Sequence, residues 1–483
     1  MRIVMISAEA PPLRRAGALV DVLNALPREL RARGHEVAVA LPFYREIQED
    51  PGIEEEDTKV TVDVQVGERV YIAEYFEAHT ADGVQLFLIR CDDFFDRPGI
   101  YAEHGRAYAD NSARFIFFCK AAVELARRLT PVPQILHVHD WAAALVPVFV
   151  RAHHLPFLTV LTIHHLAEQG SFWGLDFSLT NLHERFFTLH GIEFFGKVNF
   201  LKGGILFADK ITTVSEHYRR ETLTPEYGCG LDAVLRENTF KLSSILHGAD
   251  YAHWHPQTDK FLPANYDADA LGGKEICREA LLAQFELAPA PFGPVFGMVT
   301  RVVEEKGFQI LVPLFDRLLS DDVRLIILGE GDPGYEAALA VTARKFAGKF
   351  AYQRHYDEEL AHRIEAGMDI TLIPSRFEPA GLSAMYSLKY GALPVARATG
   401  GVQDIIEDYD VTSDSGYGFL CYQYSTEAFW DAIKRARELF RDRNTWTKLT
   451  RRAMAREFSW VTAAQLYEQL YRELLGAEEK AAA

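Results

Sequence analysis

Short apolar runs that stop at polar residues, each followed by a stretch of helical periodicity, recur in two series along this chain. That repetition restricts the fold more than any other feature. In the first series "RIVMIS" leads into "GALVDVLNALPRELRARGHEVAVALP", where Leu19, Val22, Leu23, Leu26 and Leu30 recur at helical spacing before the next apolar run. This is a β-α-β unit. Residues 59–90 change to period-two alternation ("KVTVDVQV"), and Asp82-Gly83 offers a hairpin turn before "VQLFLIRC", so an antiparallel excursion should decorate the first sheet. The runs "QILHVHDW", "FLTVLTIHH", "DKITTVSEH" and "LSSILHGAD" then deliver His and Asp to one sheet edge.

Residues 251–290 are rich in Pro, Asn, Asp and Gly and read as a connector with short helices. The second series comprises "VFGMVTR", "VRLIILGEGD", "FAYQRHY", "DITLIPSRFEP" and "LPVARATGG". The expected fold is α/β, with two doubly wound, Rossmann-like domains facing each other across a cleft. The N-terminal domain spans 1–248 and the C-terminal domain 249–457. An amphipathic helix, "FSWVTAAQLYEQLYRELLG", follows over 458–478 with Ser459 as its N-cap.

Charge narrows the partners. With 51 basic against 68 acidic residues the net charge is -17, which disfavours nucleic acid and anionic membrane, so an anionic substrate needs its own Arg or Lys cluster. No apolar run approaches the length of a membrane span, and "MRIVMISAEAPP" reads as a first strand rather than a signal peptide. Cys91, Cys119, Cys229, Cys277 and Cys421 are scattered without paired spacing, as expected of a reduced cytoplasmic protein.

In open α/β sheets ligands bind at the carboxyl ends of strands. Glu378, in "SRFEPAGLSAMYSLKYG" directly after "MDITLIP", stands there. So do Arg15 in "RRAGAL" and Arg301 with Lys306 in "TRVVEEKG", each after a domain's first strand. A lone Arg or Lys is ordinarily solvated surface charge, but these positions and charges suit a diphosphate. Gly17, Gly381 and the pair Gly400-Gly401 sit near strand-to-helix turns, where a missing Cβ lets backbone N–H groups approach an anion. His137 and His139 in "HVHD" could hold a metal with Asp140, His164 and His165, but the further ligand spacing is not evident. A core or sugar-contacting role is the stronger reading.

Ordered blocks through nearly the whole chain carry a family resemblance: "SAEAPP", "FFDRPGIY", "YADNSARF", "HVHDW", "EFFGKVNFLKGGI", "TTVSEHY", "PEYGCGLD", "TDKFLPANY", "GEGDPGYE", "SRFEPAGLS" and "KYGALPVARATGG". The sequence resembles the bacterial glycogen synthases and plant starch synthases, retaining glucosyltransferases of the GT-B fold. The resemblance implies that Glu378 binds donor-glucose hydroxyls and that amides at Gly381 and Leu382 face the diphosphate. It further implies that Arg301 and Lys306 stabilise the leaving diphosphate, that Tyr356 packs on the base, and that His164 lies near the glucose 6-hydroxyl.

By the same resemblance, Arg15, Gly17, Ala18, Asp21, His247, Thr399, Gly400 and Gly401 belong to the donor site, and Asp140 and His165 to the cleft on the acceptor side. The last helix should return to the N-terminal domain. The implied partners are ADP-glucose or UDP-glucose and an α-glucan acceptor, with no metal and no cofactor.

Departures from the family pattern cluster at the donor site. "RAGAL" carries Arg15 and Ala18 where the family has Lys and Gly, "TIHH" has His165 for Asn, and "LHG" has His247 for Asn. Ala142 follows "HDW", where the family has His or Gln. An active synthase with altered pocket geometry is the preferred reading because Arg301, Lys306, His164 and Glu378 all remain. A transferase with another donor or acceptor, or a glucan-binding sibling with little catalysis, are the alternatives.

Overall fold

The computed structural model describes residues 1–13 and 18–482. The chain divides into two compact units, Met1–Gly248 with Trp460–Ala483, and Ala249–Ser459.

Unit 1 is built on a sheet whose strands, in chain order, are β1 (Arg2–Ile6), β2 (Glu36–Pro42), β3 (Glu56–Val66), β4 (Arg69–His79), β5 (Gln85–Arg90), β6 (Ile135–His139), β7 (Leu158–Ile163), β8 (Lys210–Thr213) and β9 (Leu242–Ser244). Their spatial order is β9-β8-β7-β6-β1-β2-β5-β4-β3. From β9 to β5 every pairing is parallel, and β4 and β3 add an antiparallel arm. The inner strands are apolar on both faces, as helices on both sides of a parallel sheet require: Ile3 to Ile6 are fully buried. Helix α1 (Ala18–Ala32) buries Val22, Leu23, Leu26 and Leu30, the stripe read from its spacing. Helix α2 (Asn111–Arg128) is buried along most of its length.

Unit 2 has six strands, all parallel: β10 (Val295–Val299), β11 (Arg324–Leu328), β12 (Phe350–Gln353), β13 (Ile370–Ile373), β14 (Leu393–Arg397) and β15 (Phe419–Cys421), in the order β12-β11-β10-β13-β14-β15. Four of its helices matter below: α3 (Gly272–Gln284), α4 (Glu358–Gly367), α5 (Leu382–Lys389) and α6 (Gly400–Ile405). The stretch 251–290 is more than a connector. Its helix α3 buries Cys277, Leu281 and Leu282 and joins Ile364 and Met368 in one apolar cluster.

Helix α7 (Trp460–Ala482) belongs to unit 1. Its Trp460, Ala464, Tyr467 and Tyr471 are buried, and Glu468 accepts from Arg33 at the end of α1 at 2.5 Å. Among the described residues no helix is long and apolar enough to cross a membrane.

Each sheet reverses its winding direction once, between β1 and β6 in unit 1 and between β10 and β13 in unit 2. Connections that leave adjacent strands for opposite faces open a crevice there, so the loops after these four strands are where side chains can converge on a ligand.

Candidate functional site

In unit 2 the loops after β10 and β13 are locked together across the switch point. Lys306 Nζ donates to Glu378 Oε2 at 2.6 Å, and Ser375 Oγ donates to the same oxygen at 2.9 Å. Both side chains are largely shielded, Lys306 at 18% exposed and Glu378 at 11%. The backbone adds a tie, Arg376 N–H to the Glu305 carbonyl at 2.7 Å. Gly307 makes the approach possible. Its φ is +83°, and a Cβ there would lie 2.1 Å from the Pro374 carbonyl oxygen. Arg301 does not join the Lys306–Glu378 contact; its guanidinium, 64% exposed, donates to Glu305.

Beneath this turn runs Arg397, the buried last residue of β14, whose Nη1 donates to the Arg376 carbonyl at 2.8 Å. Ser375 and Arg397 are site residues that sequence reasoning missed. Arg397 ends an apolar run in the same way as Arg301, which is the signal that could have found it.

The glycine turns pack on one another. Gly381, at φ +75°, precedes α5, whose first amides, including that of Leu382, have no partner within the helix. Gly400, at φ +48°, and Gly401 open α6. A Cβ on Gly400 would lie 2.3 Å from the Glu378 carbonyl oxygen, and one on Gly401 2.1 Å from that of Ala380. The Gly401 N–H donates to the carbonyls of Glu378 and Pro379, both at 3.0 Å. The room left by these two missing side chains is therefore taken by protein backbone. Thr399 is fully buried ahead of α6, and Tyr356, 57% exposed, stands in the loop between β12 and α4.

In unit 1 the corresponding strand ends carry imidazoles. Asp140 follows β6 with φ +55°, a left-handed conformation unusual for a residue with a side chain. Its Oδ1 accepts from the backbone N–H of His164 at 2.7 Å and of His165 at 3.4 Å, pinning the turn after β7. His139 Nδ1 lies 3.0 Å from His164 Nε2. His137 is held by Thr162 Oγ1 at 2.7 Å and by the Tyr471 hydroxyl of α7 at 2.8 Å. The His247 ring sits 4.9 Å from that of His164 and 5.2 Å from that of Trp460.

Burial pushes His137 and His247 down to about 3 and holds His139 and His164 well below the ordinary histidine range, neighbouring imidazoles adding to the effect at His137, His139 and His164. Burial raises Asp140 to about 7. All four imidazoles are neutral at physiological pH. His139 Nε2 and both ring nitrogens of His247 are buried without a hydrogen-bond partner among the described residues.

The structure thus gathers Asp140, His164, His165 and His247 in unit 1, and Lys306, Glu378, Gly381, Leu382, Thr399, Gly400 and Gly401 in unit 2. Asp21 is exposed in the first turn of α1. Arg15 and Gly17 lie outside the described residues, as does the side chain of Ala18. His137 and His139 are engaged with the sheet and with each other, and neither belongs to a described group with metal-ligand spacing.

Comparison with known proteins gives this geometry a family. Residues 2–237 match the family model described as the starch synthase catalytic domain, and residues 284–453 match glycosyl transferases group 1. The glycogen synthase of Koribacter versatilis (strain Ellin345) is 40% identical over 480 residues, covering 98% of each chain. That of Opitutus terrae (strain DSM 11246 / JCM 15787 / PB90-1) is 40% identical over 481 residues, 98% of this chain and 100% of its own. The chain belongs to the glycogen synthase family.

Its fold is the two-domain α/β GT-B fold. The catalytic domain of starch synthase IV from Arabidopsis thaliana, bound to ADP and acarbose, matches with a TM-score of 0.90 and 30% identity, covering 98% of this chain and 99% of that one. As a member of the glycogen synthase family the protein is a glycosyltransferase.

Proposed function

We propose that the protein transfers glucose, with retention of configuration, from a nucleoside-diphosphate glucose to the non-reducing end of an α-1,4-glucan. ADP-glucose stands ahead of UDP-glucose as donor, in keeping with the ADP in the Arabidopsis starch synthase structure. The observation that carries the reading is the Lys306–Glu378 contact across the unit 2 switch point. A lysine cation beside a carboxylate, with the amide-bearing start of α5 in the same turn, supports a reading in which the cation meets a phosphate and the carboxylate sugar hydroxyls.

The chemistry follows from charge. When the acceptor hydroxyl attacks on the face from which the nucleoside diphosphate departs, negative charge grows on the bridging oxygen. Lys306 and Arg301 stabilise that charge more in the transition state than in the ground state. Lys306 leaves Glu378 for the phosphate as the donor binds, which releases the Glu378 carboxylate to the glucose. The α5 amides at Gly381 and Leu382 receive the diphosphate, with Thr399, Gly400 and Gly401 shaping the turn, and Tyr356 packs on the base. From unit 1, His164 hydrogen-bonds the glucose as a neutral imidazole. Asp140 and His165 serve the acceptor, and Arg15, Gly17, Ala18, Asp21 and His247 complete the donor site. The scheme needs no cofactor. The five cysteines, all free, accord with a reduced cytoplasm.

The test is nucleoside diphosphate release from ADP-, UDP- and GDP-glucose in the presence and absence of a glucan primer. Primer-dependent release with ADP-glucose is expected. Release with no donor, alongside retained affinity for glycogen, would replace the enzyme by a glucan-binding protein.

A further inference from the structure

A second cluster of titratable groups lies in unit 2, built on helix α4 and the segment that precedes α3. Glu358 and His362 are one turn apart on α4, and His253 reaches the same spot from the segment just after residue 249. One donor atom from each of His253, Glu358 and His362 falls within 4.8 Å of the other two. His253 Nε2 and Glu358 Oε1 are already 2.5 Å apart.

The interior side of the cluster is ordered for ligation. His362 is fully buried, and its Nδ1 lies 2.6 Å from Asp259 Oδ2, an oxygen that also accepts from the Tyr390 hydroxyl at 2.5 Å. A carboxylate at Nδ1 fixes the proton there and leaves Nε2 with its lone pair, the arrangement found behind metal-bound histidines. That Nε2 is buried with no hydrogen-bond partner among the described residues. Trp254 stacks on the His362 ring at 3.6 Å and 12°, so the ring cannot swing to find one.

We propose that His253, Glu358 and His362 bind a late first-row divalent cation, zinc by donor set, with water as the fourth ligand. Two imidazoles and one carboxylate suit zinc, whereas calcium and magnesium take oxygen ligands. Zinc bonds of 2.0–2.1 Å set tetrahedral ligands about 3.3 Å apart. His253 and Glu358, whose side chains are 43% and 52% exposed, have solvent on one side into which to adjust toward that spacing, while His362 is fully buried. The exposed side admits the water. The ion would clamp the His253 segment to α4. The cluster shares no residue with the proposed donor site, and the inference does not depend on that reading.

The test uses the full chain, stripped with a chelator and desalted, with no substrate present. Zinc is titrated in competition with a chromophoric chelator against the wild type, His253→Ala and Glu358→Gln, and cobalt(II) is added as a spectroscopic probe. Both substituted side chains are exposed, so the variants are expected to fold, checked by an unchanged metal-free melting curve. The wild type should bind one equivalent of zinc that each variant binds at least about tenfold more weakly. It alone should show a tetrahedral cobalt spectrum and a zinc-dependent rise in melting temperature. Equal stoichiometry and affinity in all three proteins, or no zinc bound by the wild type, would overturn the proposal.

Discussion

The two switch points solve different problems with different side chains. In unit 1 the strand ends carry buried, neutral imidazoles, with Asp140 pinning their turn, whereas in unit 2 they carry Lys306 against Glu378, with Arg301 turned to Glu305. Neutral imidazoles and carboxylates both suit a polyhydroxyl sugar, and cations suit a diphosphate. The difference teaches that two Rossmann-like units alike in winding carry strand-end loops of different electrostatics, the contrast on which the proposed function draws.

The sharpest way to break the comparison is to remove the charge. Lys306→Ala or Arg301→Ala should lower turnover by about 3 to 4 kcal/mol of transition-state stabilisation, the usual cost of one such group. His164→Ala in unit 1 should cost less. Steady-state kinetics with ADP-glucose and glycogen decide it. Near-normal turnover in Lys306→Ala would remove that residue from the proposed reaction, and an equal loss in His164→Ala would erase the division of labour.

Glu378→Gln comes next, at roughly 10- to 100-fold, because a charge-assisted hydrogen bond to sugar is about twice as strong as the neutral one that replaces it. The amide oxygen can still accept from Lys306 and Ser375, so the turn is expected to persist. Donor KM and ADP inhibition are the measurements. The nucleotide sugar should weaken more than ADP, and equal weakening would place Glu378 on the nucleotide.

Much of this arrangement was legible before any coordinates. Apolar runs ending in polar residues marked the strands, and residues just beyond a strand end marked Lys306 and Glu378. Contact was not legible: nothing in "TRVVEEKG" says that Lys306 turns onto Glu378 while Arg301 turns to Glu305. Short elements were lost for a related reason. The strand Phe419–Cys421 is too brief to show a period, and α3 was hidden by the Pro- and Gly-rich residues around it although Leu281 and Leu282 are core. Ser375 and Arg397 act from beneath the turn, a relation that exists only once β13 and β14 are paired.

Acid should separate the units by sign. A histidine depressed in the folded state contributes stability that is present above its unfolded value of 6.5 and is lost as pH falls toward the folded value, about 3 for His137 and His247. Asp140, raised to about 7, works in the opposite direction but is one group against four imidazoles. In unit 2 burial raises Glu365 to about 8, so acidification relieves its cost. Between pH 7.5 and 5.5 unit 1 should lose about 3 to 4 kcal/mol while unit 2 holds or gains. Hydrogen exchange in peptides covering 135–164 and 358–373 reads the two units in one experiment, and parallel changes in both would refute the contrast.

The smallest effect is expected at Tyr356, and it bears on the base rather than the phosphate. The side chain is 57% exposed, so Tyr356→Ala should leave the melting temperature unchanged. If the ring packs on the nucleobase, its loss should raise donor KM by about 1 kcal/mol, the lower end of base–aromatic stacking, with kcat little altered. Stacking serves any base, so the penalty should be similar for ADP- and UDP-glucose while the preference between them stays as in the wild type. A fall in kcat at unchanged KM would instead put Tyr356 in the reaction itself. A loss confined to one nucleotide would make it the residue that selects the base, and the division between the units would then extend to a third recognition task carried by unit 2.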